Sequence, residues 1–142
     1  MTREFNDFFN RYIEIWKSSS FIELKEMISK DYQAREITGK DIIDFGYEES
    51  ITGWEQAFTY FKNKDSQWIL NEIATIPLRE EEIMVIVAAS LIIEGKTLET
   101  SNLFFQTFRR EDNNDWKLVR SYIEARIYTE NINSLVFNRI NQ

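Results

Sequence analysis

Cysteine is absent from this 142-residue chain, and so is histidine. Without thiols there is no disulfide, no thiolate nucleophile and no cysteine metal site. Without imidazole there is no Ser–His dyad, no histidine general base and no histidine zinc ligand. Acid–base chemistry falls to Asp, Glu, Tyr, Lys or a side-chain amide. There is a single proline, Pro77, and no repeat, linker or low-complexity tract. No apolar run is long enough to cross a bilayer as a helix; the longest, Ile83 to Ile93, is interrupted by Ser90. The stretch Met1-Thr2-Arg3-Glu4-Phe5-Asn6-Asp7 lacks the apolar core of a signal peptide. The expectation is a cytoplasmic protein that is not in the membrane.

Basic residues are also scarce, with 17 against 24 acidic ones and a net charge of −7. Nucleic-acid binding relies on Lys and Arg neutralising phosphates. Arg109-Arg110 runs at once into Glu111-Asp112, so no basic cluster forms. Nucleic acid is not an expected partner.

Aromatic residues are plentiful. Eleven Phe, six Tyr and four Trp make up 15 % of the chain, and hydrophobic residues 43 %. The length suits one domain spanning 1–142. So many rings can pack a core or line an apolar cavity.

The pattern changes along the chain. Phe5, Phe8, Phe9, Tyr12 and Trp16 recur at helical spacing. Ser18-Ser19-Ser20 interrupts them, and Ser20 with Glu23 forms a capping-box pattern for a second helix bearing Phe21, Leu24, Met27 and Ile28. Asp31 to Thr38 reads as an edge strand, and 39–50 as a loop or lid. Thr52 and Glu55 form another capping-box pattern, before the stripe Trp54, Ala57, Phe58 and Phe61. Trp68 to Thr75 opens a sheet, and Pro77 with Arg79-Glu80-Glu81-Glu82 marks a turn. Three long β-rich runs follow: Glu82 to Ile93, Thr97 to Arg109 and Trp116 to Ile127. They exceed the usual strand length of about five or six residues, which predicts a wide curved meander. The acidic turn Glu111 to Asp115 lacks the glycine and distal Glu of a calcium loop. The tail reads as a short helix with Ile132, Leu135, Val136 and Ile140 on one side. This order is α+β. The run Ile83 to Ala89 is apolar on both faces, whereas an antiparallel sheet normally wets one. A homodimer through the outer sheet face is therefore expected.

Three stretches carry a resemblance that covers nearly the whole chain: Arg11-Tyr12-Ile13-Glu14 through Phe21-Ile22-Glu23-Leu24 to Asp31; Thr52-Gly53-Trp54-Glu55-Gln56-Ala57 with Tyr60-Phe61; and Phe108-Arg109-Arg110, an acidic turn, then Trp116-Lys117-Leu118-Val119. In this order they resemble the superfamily of nuclear transport factor two, ketosteroid isomerases, scytalone dehydratases and small polyketide cyclases of the SnoaL-like type. The resemblance implies a cone-shaped curved antiparallel sheet wrapped around N-terminal helices, the cystatin-like α+β roll. Against ketosteroid isomerases, the helix-one tyrosine corresponds to Tyr12, the general base to Glu36 and the second oxyanion donor to Gln106. Glu stands where those enzymes have Asp, and Gln where they have a protonated acid. Tyr60 and Phe61 correspond to pocket aromatics. Where other members carry histidine on the last strand, this chain has Arg120 and Tyr122.

The resulting expectation is a pocket for a small apolar or aromatic molecule. In it Glu36 would abstract a proton beside a carbonyl, while Tyr12 and Gln106 would bind the oxyanion. The bland alternatives stay open: a solvated Glu36, a core Tyr12 and a Gln106 satisfied within the protein. Trp16, Tyr60, Phe61, Asn102, Phe104, Phe108 and Ile123 complete the expected lining. No metal or organic cofactor is required. The alternative function is a protein-interaction or dimerisation module, as in kinase association domains of this fold.

Overall fold

The computed structural model describes residues 3–112, 114–136 and 138. Helix α1 (Arg3–Lys17) buries Phe5, Phe9, Tyr12, Ile15 and Trp16. It ends in a left-handed turn at Ser19, φ 54°. There Ser20 N–H bonds Ile15 O at 3.1 Å and Ser19 N–H bonds Trp16 O at 2.9 Å, the paired bonds of a Schellman stop. Trp68 Nε1 donates to Ser19 Oγ at 3.0 Å, clamping the turn to the sheet. Ser20 is the N-cap of α2 (Phe21–Glu26), but its hydroxyl donates to Glu23 Oε1 at 3.0 Å rather than accepting a helix N–H.

Strands β1 (Ile28–Thr38) and β2 (Asp41–Gly46) form a hairpin, followed by α3 (Tyr47–Lys62). The remaining strands are β3 (Ser66–Arg79), β4 (Glu82–Ile93), β5 (Lys96–Thr97), β6 (Thr100–Arg110) and β7 (Trp116–Tyr128), before the short α4 (Thr129–Asn133). The sheet order is β2-β1-β7-β6-β4-β3, with β5 attached to β4. All pairings are antiparallel except β1 with β7. The sheet is curved and unclosed, and α1, α2 and α3 contribute buried side chains to the core packed against it. No described helix is long and apolar enough to cross a membrane.

The three β-rich runs match β4, β5 with β6, and β7. Several local expectations are corrected. The segment from Asp31 belongs to an interior strand, because β7 covers its other edge. The expected loop at 39–50 is mostly strand β2 and the first turn of α3. Thr52 lies inside α3, whose N-cap is Gly46. Pro77 sits within β3, opposite Ile83; β3 is an edge strand, where a missing N–H is tolerated. In the tail, Leu135 and Val136 are exposed, and Ile140 lies outside the described residues.

Alternation assigns the two sheet faces. Ile83, Val85, Val87 and Ala89 of β4 point into the core. Phe104, Gln106 and Phe108 of β6 stand opposite Val87, Val85 and Ile83. The deep part of the cone is packed with rings. Phe108, fully buried, lies 5.1–5.8 Å by ring centroid from Phe5, Phe8, Phe9 and Tyr12. Trp16 is the second hub, 5.1 Å from both Trp54 and Phe104 and 6.1 Å from Trp68.

Candidate functional site

The cone is closed at depth and open at its mouth. A hollow of about 430 Å³ lies between the β1–β2 hairpin, α3 and the inner face of β6 and β7. From β1 it takes Tyr32 and Glu36, two residues of one face because strand side chains alternate. The β2 wall presents Ile43, opposite Glu36, and Phe45. Helix α3 supplies Glu49 and Gly53, one turn apart, and Ser50 and Trp54, likewise one turn apart. Phe104 and Ile123, paired across β6 and β7, form the floor. Asp44 completes the rim and is held by Arg35 through bonds of 2.7 and 2.9 Å.

Of the three residues expected at a reaction centre, Tyr12 and Gln106 meet each other while Glu36 lines the hollow. Tyr12 Oη donates to Gln106 Oε1 at 3.0 Å, with both side chains buried at 0 % and 1 % exposure. Neither lines the hollow. Burial pushes the Tyr12 phenol far above its ordinary range; neighbouring Tyr32 adds to this and the bond to Gln106 offsets part. Glu36 stands at the mouth, where Thr38 Oγ1 donates to its carboxylate at 3.3 Å.

Of the expected lining, Phe104 and Ile123 face the hollow. Trp16 lies behind Trp54 and Phe104 as a second layer, and Phe108 is deeper still. Tyr60 is exposed, 57 %, and packs against Phe61, which in turn meets Trp68. These two belong to the far end of α3. Asn102 Oδ1 accepts the Arg126 N–H at 3.0 Å. Arg126 has φ 60° beside a β-bulge, so Asn102 satisfies an amide that the disturbed ladder leaves free.

Tyr32 is the phenol that shares the hollow with Glu36. Burial pushes it up to about 12; the hydroxyls of Ser121 and Ser50 beside it offset part, and the Glu36 carboxylate adds to the rise. Ser121 Oγ itself makes no hydrogen bond of good geometry. A consequence is testable at alkaline pH. An unfolded tyrosine titrates near pH ~10, so stability is intact below that value. It falls as pH rises towards about 12, because the unfolded chain releases a proton that the native chain retains. For Tyr32 the loss approaches roughly 3 kcal/mol. Urea titrations across this range should show the fall, to which the buried Tyr12 phenol also contributes; Tyr32→Phe should make it shallower without abolishing it, and an unchanged slope in the variant contradicts the assignment.

Tyr32, Phe45, Glu49, Ser50 and Trp54 were not singled out as site residues from sequence. Stepping by two from Glu36 reaches Tyr32, and stepping by four from Gly53 reaches Glu49, so the periodic signal existed. The fact that β2 folds over α3's first turn was not readable from either period.

Comparison with known proteins adds the fold. No family model matches the chain, and no curated protein matches it in sequence. Solved structures do. An NTF2-like protein of unknown function from Pseudomonas putida superposes with TM-score 0.66 at 11 % identity, covering 90 % of this chain and 88 % of that one. An NTF2-like protein with a cystatin-like fold from Novosphingobium aromaticivorans gives 0.64 at 15 %, covering 86 % and 79 %. A ketosteroid isomerase-like protein from Erwinia carotovora atroseptica gives 0.56 at 9 %, covering 80 % and 87 %. The chain therefore has the NTF2-like, cystatin-like α+β fold. Identities this low speak to fold alone.

Proposed function

We propose that this protein binds a small, largely apolar molecule in the hollow between the β1–β2 hairpin and α3. The observation that carries the reading is the hollow itself. Its walls are Phe45, Trp54, Phe104, Ile43 and Ile123, with Tyr32, Glu36 and Ser50 as the convergent polar groups. Such a mixture suits apolar ligands oriented by a few hydrogen bonds. Isomerase-like proton transfer beside a carbonyl needs a base and an oxyanion donor facing one ligand. Tyr12 and Gln106 satisfy each other, so within the hollow that pair would be Glu36 and Tyr32.

Gly53 offers a clean test. A Cβ built there meets nothing within 4 Å, and its helical position gains about 1 kcal/mol from replacing glycine. Gly53→Leu should keep or raise stability while filling the hollow. The neutral fluorescent probe N-phenyl-naphthylamine should bind the wild type one to one and the variant at least about tenfold more weakly. Equal binding by the variant, or no binding by the wild type, overturns the reading.

A second reading concerns assembly, and the outer sheet face favours it. Met84, Ile86, Leu103 and Phe105 lie half-buried there with no helix over them, beside the more exposed Tyr122. A shallow groove of about 760 Å³ runs across this face. Arg35–Asp44 and Arg120–Glu82 ion pairs flank it. A twofold dimer would cover the apolar strip and set these charges against their mates. Sedimentation should give twice the 17.1 kDa of one chain, and Phe105→Asp should give the monomer. A wild type that sediments as one chain at tens of micromolar rules the dimer out.

A further inference from the structure

We infer that the molecule taken into the hollow carries a protonated amine on its apolar or aromatic body; this rests on the pocket reading above. The lining is chemically one-sided. It contains the carboxylates of Glu36, Asp44 and Glu49 and not one Lys or Arg side chain. Asp44 is already neutralised by Arg35. Glu36 and Glu49 form no ion pair among the described residues. Among the described residues, the Glu36 carboxylate accepts one hydrogen bond, from Thr38 at 3.3 Å.

Carboxylates on an open surface are ordinary and need no partner. These two edge a hollow instead: Glu36, half-buried, and Glu49, exposed on the first turn of α3, stand at a mouth walled by four aromatic rings, Tyr32, Phe45, Trp54 and Phe104. A cleft lined by one sign of charge focuses its potential inward and concentrates the opposite charge. The ring faces add to this, because an aromatic quadrupole attracts a cation. An anion placed here would meet two unpaired negative charges and no donor of opposite sign. A neutral ligand would leave both carboxylates as they are. An ammonium group brings three donors and a charge, matching two carboxylates with the Ser50 and Tyr32 hydroxyls as further acceptors. A bare metal ion suits the site less well. No group of three or more Asp or Glu among the described residues is placed to hold one.

The test uses three ligands that differ in the terminal group alone: phenylbutylamine, phenylbutanol and phenylbutanoate. Calorimetry on the full chain, at neutral pH and low salt, should rank amine above alcohol by about tenfold, with the acid weakest. Glu36→Gln and Glu49→Gln should each reduce the preference for the amine. Glu55→Gln, on the exposed side of α3 and outside the hollow, should leave it intact. Alcohol binding as tightly as amine, or acid binding best, overturns the ligand class while leaving the pocket. So does failure of all three where N-phenyl-naphthylamine still binds; failure of that probe too removes the pocket reading itself. An equal loss of preference in all three glutamine variants would assign the effect to the overall charge of −7 and overturn the proposal.

Discussion

Phe108→Ala is expected to lower the unfolding free energy by about 3–5 kcal/mol. Phe108 is fully buried and, with Gln106 and Phe104, is one of the residues through which β6 holds α1. Its ring stands edge-on to Phe5, Phe8, Phe9 and Tyr12, which are all on the helix. Truncation removes the ring's burial and leaves a cavity that four large, mutually packed rings cannot easily fill. Each aromatic pair lost adds a smaller term beyond area. In a chain of this length the loss should lower the melting temperature by roughly 10 °C or more. Urea unfolding and calorimetry would both register it. A loss below about 1 kcal/mol would mean that α1 is held to the sheet by something other than this hub.

The Tyr12–Gln106 pair should behave as a structural unit. Tyr12→Phe strips Gln106 Oε1 of its donor in a side chain that is 1 % exposed, and Gln106→Leu strips the phenol of its acceptor. Each single change should cost about 1–3 kcal/mol, since a buried polar group left unpaired keeps its desolvation penalty. Making both changes removes both orphans. The double variant should therefore lose clearly less than the two single losses combined, with a coupling of roughly 1–2 kcal/mol. Binding of N-phenyl-naphthylamine should change little in any of the three. Additive losses, or weakened probe binding without loss of stability, would return these residues to a ligand-facing role.

The two experiments address the same division within the cone. Rings from α1 and β6 fill its depth, so a phenol placed there by helical spacing is satisfied by protein. Farther out, the β1–β2 hairpin and α3 stand apart from the floor at Phe104 and Ile123, and space remains. Sequence likeness to isomerases assigned Tyr12 and Gln106 to one oxyanion, and in the fold the two are hydrogen-bonded to each other. It carried no information on whether the gap between them exceeds a hydrogen bond. That gap depends on how closely α1 approaches β6, which Phe108 and its neighbours set through packing volume.

Local pattern was enough for much of this molecule. Periodicity of 3.6 marked α1 with its buried stripe. Periodicity of two marked β4, β6 and β7 and put Phe104, Gln106 and Phe108 on one face, because side-chain direction follows from backbone geometry alone. The missing Cys and His limited the available chemistry before any fold was known. Tertiary structure decided the rest. It made β1 an interior strand by pairing it with β7, more than eighty residues away along the chain. It turned the 39–50 segment into a wall, and it allotted Glu36 to the hollow and Tyr12 to the core. These outcomes depend on contacts between residues far apart in the chain, whose energy is a sum over packed surfaces, and no short window of sequence contains that sum.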